Sequence, residues 1–183
     1  MPNFHTQKKL YKLCGIMIQA TRAFQVLLVV IFMVLLWLAI TNNAGYADFL
    51  KMSNDLEKVT LTPITTVLLL VLLGCFFGLI ITGLKTVTDL FEKLRSATPL
   101  SFETAILLRR TGIFALSVWV AEQIYGGLCA PLATAGNPPT ERIFQIGFGI
   151  NDALLLLMAG FLFTMGHVMV LASRVNDEYA RII

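Results

Sequence analysis

Four apolar stretches, at about residues 25–42, 60–84, 111–132 and 147–173, are each long enough to cross the hydrocarbon core of a bilayer. In lipid, backbone polar groups must pair within their own segment, so each stretch is expected to be a helix. The expected fold class is therefore all-α: a four-helix transmembrane bundle with short amphipathic cytoplasmic helices beside the spans. Four such spans use nearly half of the 183 residues, and the connections between them are short. The chain accordingly reads as a single integral-membrane domain over residues 1–183, with no room for a separate soluble catalytic domain.

Charge sets the expected orientation. Eleven of the fourteen Lys and Arg lie in the N-terminal tail, the middle loop or the C-terminal tail; only Lys51, Lys58 and Arg142 lie in the other two loops. Positive residues concentrate on the cytoplasmic side of membrane proteins, so both termini are expected there. The basic segments suit the anionic headgroups of the lipid bilayer. They form no long basic or aromatic-interleaved surface, so direct nucleic-acid binding is not expected.

The tail before the first span is basic (Lys8, Lys9, Lys12, Arg22), with Leu10, Leu13, Cys14 and Met17 at helical spacing, and reads as an amphipathic lead-in on the inner surface. Trp37 and Tyr46 read as interfacial aromatics closing the first span. A signal peptide cleaved after Ala44-Gly45-Tyr46-Ala47 fits less well, because the apolar run exceeds the usual length of about 7–15 residues. Residues 42–58 read as an outer loop. In the second span Gly74 and Gly78 form a small-xxx-small pair, suited to packing inside the bundle or to a homo-oligomer.

The middle loop repeats apolar residues at Val87, Leu90, Phe91 and Leu94, one stripe of a helix. This helix is expected to stop before Thr98-Pro99, and Ser101 to cap the next one. The stripe, with Arg109, Arg110 and the C-terminal helix face of Val175, Tyr179, Ile182 and Ile183, is a candidate partner surface. Resting on lipid headgroups is the simpler use of the same stripes.

Few residues suggest chemistry. Glu122, next to Gln123, lies about 18 Å along the third span from Arg110, deep in a core about 30 Å thick. A carboxylate there should face the bundle interior or take up a proton. It is either a proton, cation or ligand-sensing site, or a hydrogen-bonded group that locks helices together. Asp152 belongs near the outer surface, at the start of the fourth span. His167 is expected to make one interhelical hydrogen bond, or else to sense pH. Cys14, Cys75 and Cys129 lie at different depths and read as isolated thiols. With His5 and His167 far apart they make no metal-ligand set, and no cofactor is expected. No phosphate loop, dinucleotide fingerprint or nucleophile motif is present, so the chain is not read as an enzyme.

The passage Pro99-Leu100-Ser101-Phe102-Glu103, running to Leu108-Arg109-Arg110-Thr111-Gly112, resembles a recurring feature of a bacterial integral-membrane family known as domain of unknown function 2975. Ala172 to Ile183 is similar to the tail that follows the last span in that family. The resemblance implies a small four-span protein of the bacterial inner (plasma) membrane. It also implies a cytoplasmic helix-turn-helix transcription regulator as partner, and it supplies no catalytic residues. The role expected is regulatory or sensory; the alternatives are a small oligomeric transporter or channel using Glu122, or a structural subunit of a membrane complex.

Overall fold

The computed structural model describes all residues except 1–3, 55, 57, 96–100, 145–146 and 183; the side chains of 4–10, 54 and 174–182 also lie outside the description. Its described residues form a helical bundle without strands: α1 (Phe4–Thr41), α2 (Asn43–Asn54), α3 (Pro63–Leu94), α4 (Phe102–Ala133), a 3-10 turn (Pro139–Glu141) and α5 (Ile150–Ile182). Among them α1, α3, α4 and α5 are long and apolar enough to cross a membrane, which supports a multi-pass membrane protein.

Several boundaries differ from the sequence expectation. The amphipathic segments do not form separate short helices. The lead-in is the start of α1 and the stripe from Val87 to Leu94 is the last part of α3, while the helix capped by Ser101 runs through Arg109 and Arg110 into the third long apolar stretch, as its sequence suggests. Helical geometry continues without a break because no Pro, Gly pair or cap interrupts these junctions. α4 runs through Glu122 and Gln123 without a break. α3 starts at Pro63 and α5 at Ile150, each within a few residues of the expected start of its apolar stretch. The C-terminal face of Val175, Tyr179, Ile182 and Ile183 lies outside the described side chains.

Helix starts follow local chemistry. Thr62 and Thr65 cap α3 reciprocally: the Thr62 amide donates to Thr65 Oγ1 (2.9 Å) and the Thr65 amide to Thr62 Oγ1 (3.3 Å). Ser101 Oγ accepts the Thr104 amide at 3.3 Å, the cap expected of it. Within the helices, and at Thr134 just past the end of α4, hydroxyls turn back onto the preceding turn. Thr21, Thr88, Thr111, Ser117, Thr134 and Thr164 each donate to the carbonyl four residues earlier, at 2.8–3.0 Å.

The chain contacts group into two compact units. The first comprises Met1–Val26, Ile81–Ser117 and Ile150–Ile183. Its packing centres on small residues: Ala105 and Ala159 are fully buried, and α4 meets α5 backbone to backbone. A Cβ built on Gly112 would lie 2.5 Å from the Phe163 amide nitrogen, and one on Gly166 would lie 2.4 Å from that of Arg109. Only glycine allows so close an approach.

The second unit comprises Leu27–Ile80 and Val118–Gly149. The expected outer loop at residues 42–58 is here mostly α2, started by Asn42, whose Oδ1 accepts the Gly45 amide at 3.0 Å. Tyr46, expected as an interfacial aromatic, is turned into the protein. It is 1% exposed and packs with Leu50, Leu56, Leu69, Cys129, Ala130 and Ala133. The physical reason is that Tyr46 and Leu50, four residues apart, give α2 one apolar face that docks on α4. Beyond α4 the Thr60 amide donates to the Ala133 carbonyl (3.3 Å), and Asn137 Nδ2 donates to the Lys58 carbonyl (3.1 Å). Buried Thr134 Oγ1 accepts the Ile143 amide at 3.2 Å.

Gly74 lies at ordinary contact distance, 3.4 Å, from the Phe32 ring, whereas nothing approaches a Cβ at Gly78. The closest glycine contacts are therefore elsewhere, at Gly112, Gly166 and Gly136.

Candidate functional site

Two regions carry polar groups at positions where a membrane helix seldom has them. In the second unit, Glu122 falls on the α4 face that also carries Cys129 and Ala133, seven and eleven residues later. Those two are fully buried under the α2 face, but Glu122 is exposed. Of the two alternatives expected for Glu122, a carboxylate turned into the packed interior is not the one seen, because α2 covers only the last turns of α4. Gly126, one turn on, has open space at its Cβ position. Glu122 has no ion-pair or hydrogen-bond partner among the described residues, whereas Gln123 is half-buried and engaged. The sequence therefore indicates the depth of Glu122 but not the direction it faces.

Beside this region, Phe76 stacks on Tyr125 with ring centroids 5.3 Å apart, and Cys129 is buried near both tyrosines. Burial, and secondarily the Cys129 thiol, pushes the Tyr46 hydroxyl up to about 12 from an ordinary value of 10.0. The folded state thus holds its proton at a pH where the unfolded chain has lost it. Stability is full below pH 10 and falls as pH rises towards 12, by at most about 1.4 kcal/mol per pH unit from this group. Tyr46→Phe is expected to flatten that part of an unfolding profile measured in detergent between pH 9 and 12.

In the first unit the ends of three helices are tied by polar contacts. Arg22 on α1 pairs with Glu92 on α3 at 2.7 Å, and Lys93 pairs with Glu103 on α4. The Arg95 guanidinium lies 3.8 Å from the centroid of the Tyr11 ring and also donates to its hydroxyl. Exposed pairs of this kind contribute little to stability, so they set geometry more than stability. Leu90 is 6% exposed, taken up in the unit's own packing, and Val87, Phe91 and Leu94 are half-buried. Of the candidate partner surface, Arg110 is exposed and Arg109 half-buried. His167 is exposed and makes no interhelical hydrogen bond among the described residues; Asp152 in the first turn of α5 is half-buried and engaged.

Cys14 and Cys129 are buried, Cys75 is exposed, and none of the three forms a disulfide among the described residues. Among the described residues no three His, Cys, Asp or Glu side chains group as metal ligands. An open hollow of about 270 Å³ lies among Lys58, Thr140, Glu141, Arg142 and Ile143, where Lys58 and Glu141 pair at 2.7 Å. No protein-family model, curated protein or solved structure matches the chain.

Proposed function

We propose that this chain is a non-enzymatic four-span protein of the bacterial inner membrane with a regulatory or sensory role, its termini and basic helix ends in the cytoplasm. There it acts with a helix-turn-helix transcription regulator. The observation that supports this reading is the platform at the basic end, where α1, α3 and α4 are joined by Arg22–Glu92, Lys93–Glu103 and Arg95–Tyr11. The platform presents exposed charge rather than an apolar stripe, since Leu90 is consumed inside. A partner would therefore read it by charge and hydrogen bonds, which favour specificity over raw affinity.

A photo-crosslinking residue placed at Glu92 or Arg95 tests this in cells. Adducts with a DNA-binding protein, together with altered transcripts when the gene is deleted, are the expected result. Adducts with lipid alone and an unchanged transcript profile would overturn it.

A second reading, a small oligomeric transporter or channel, draws support from Glu122 alone. An exposed, unpartnered carboxyl in mid-span is expensive in lipid and becomes tolerable in a water-filled path between copies. Proton or cation flux into vesicles, at least tenfold lower with Glu122→Gln, is the outcome this reading requires; absence of flux in the parent protein ends it.

A further inference from the structure

Three donor side chains at the basic end of the first unit have no acceptor among the described residues. The α4–α5 contacts descend one helix as they ascend the other, Arg109 against Gly166 and Gly112 against Phe163, so the pair is antiparallel. Each further residue turns about 100° around its axis, and in an antiparallel pair the next residue on both helices turns to the same flank. Those residues are Arg110 and His167, and both are exposed. Arg109, facing the crossing, has its Nε buried without a hydrogen-bond partner. The neighbouring carboxylates are otherwise engaged, Glu92 with Arg22 and Glu103 with Lys93. Asp89 forms no ion pair with either arginine among the described residues.

The level of this cluster matters. Arg22, Lys85 and Arg110 are the charges that border the long uncharged runs of their helices, which puts Arg109 and Arg110 where hydrocarbon meets headgroups. A guanidinium offers five donors and accepts nothing, and its fork matches two oxygens of a phosphate. Towards mid-membrane on the same flank of α5 come Phe163, Gly160 and Leu156, at helical spacing before His167. Phe163 and Leu156 are exposed, and the Cβ position of Gly160 is open, so the flank has an apolar notch below the cations. Cations above an apolar trough complement a molecule that is anionic at one end and greasy at the other.

The geometry points to a binding site for the phosphate of an anionic phospholipid on the flank of the α4–α5 pair. Arg109 and Arg110 are its charged donors and His167 a further donor, with the acyl chain along Phe163, Gly160 and Leu156. Soluble phosphate shares the headgroup chemistry but makes no use of the trough.

The test uses the full chain in nanodiscs of phosphatidylcholine containing phosphatidylglycerol, released into mild detergent for native mass measurement. The parent is expected to retain phosphatidylglycerol over phosphatidylcholine. Arg110→Gln, on an exposed position that folding does not require, should weaken retention about fivefold, and Arg109→Gln with Arg110→Gln about twenty-five-fold. Arg142→Gln, with the same charge change outside the cluster, should match the parent. Equal retention of the two lipids, or full retention by Arg110→Gln, would overturn the site. So would lipid-free protein binding inorganic phosphate with the same sensitivity to Arg110→Gln, since the ligand would then be soluble.

Discussion

Gly166→Ala is expected to destabilise the protein by about 3 kcal/mol, the upper end of what overpacking costs, although it adds one carbon. That carbon would lie 2.4 Å from the Arg109 amide nitrogen and 2.6 Å from its Cα. Both are backbone atoms of α4, so relief requires moving a whole helix rather than turning a side chain. Gly112→Ala should behave alike, because its Cβ would meet the Phe163 backbone at 2.5 Å. Gly78→Ala is the matched comparison: nothing lies within 4 Å there, and a change within about 0.5 kcal/mol is expected. Unfolding by increasing SDS in mixed micelles reads all three. Parent-like stability of Gly166→Ala would mean that α4 and α5 do not cross at these residues.

Tyr46→Ala should cost about 3–5 kcal/mol, as removal of a buried aromatic usually does, and should release α2 from the end of α4. The ring is 1% exposed among Leu50, Leu69, Cys129 and Ala133, so truncation leaves a hole that small neighbours cannot fill. Tyr46→Phe keeps the volume and should cost under about 1.5 kcal/mol at neutral pH. Thermal unfolding in detergent, with thiol labelling of Cys129 as a local probe, separates the two. Rapid labelling is expected only in Tyr46→Ala; slow labelling there would show that α2 does not cover Cys129.

What could be read from the chain beforehand follows a physical division. Hydropathy over about 20 residues reports whether a segment can lie in lipid, and it located all four long helices. Local chemistry was equally readable: Ser101 caps α4, and α3 ends at Leu94, before Thr98-Pro99. α2 was missed because twelve residues of mixed polarity between two spans resemble a loop. Its signal was present in the Asn42 cap and the Tyr46–Leu50 spacing. The glycines show the other limit. Gly74 and Gly78 form a motif within one helix, visible to the eye, while Gly112 and Gly166 matter only because two distant segments meet. Glu122 is the same lesson for a polar group, since depth is counted along one helix and direction depends on which neighbour covers it.

The hydroxyls that turn back onto their own helices bear on how the protein is made. With Thr21, Thr88, Thr111, Ser117, Thr134 and Thr164 each answered by a carbonyl of the preceding turn, the long helices can leave the insertion machinery with these hydroxyl groups already satisfied. For these groups, threading into the bilayer and lateral assembly are then separable events, because none of them needs a polar mate from another helix.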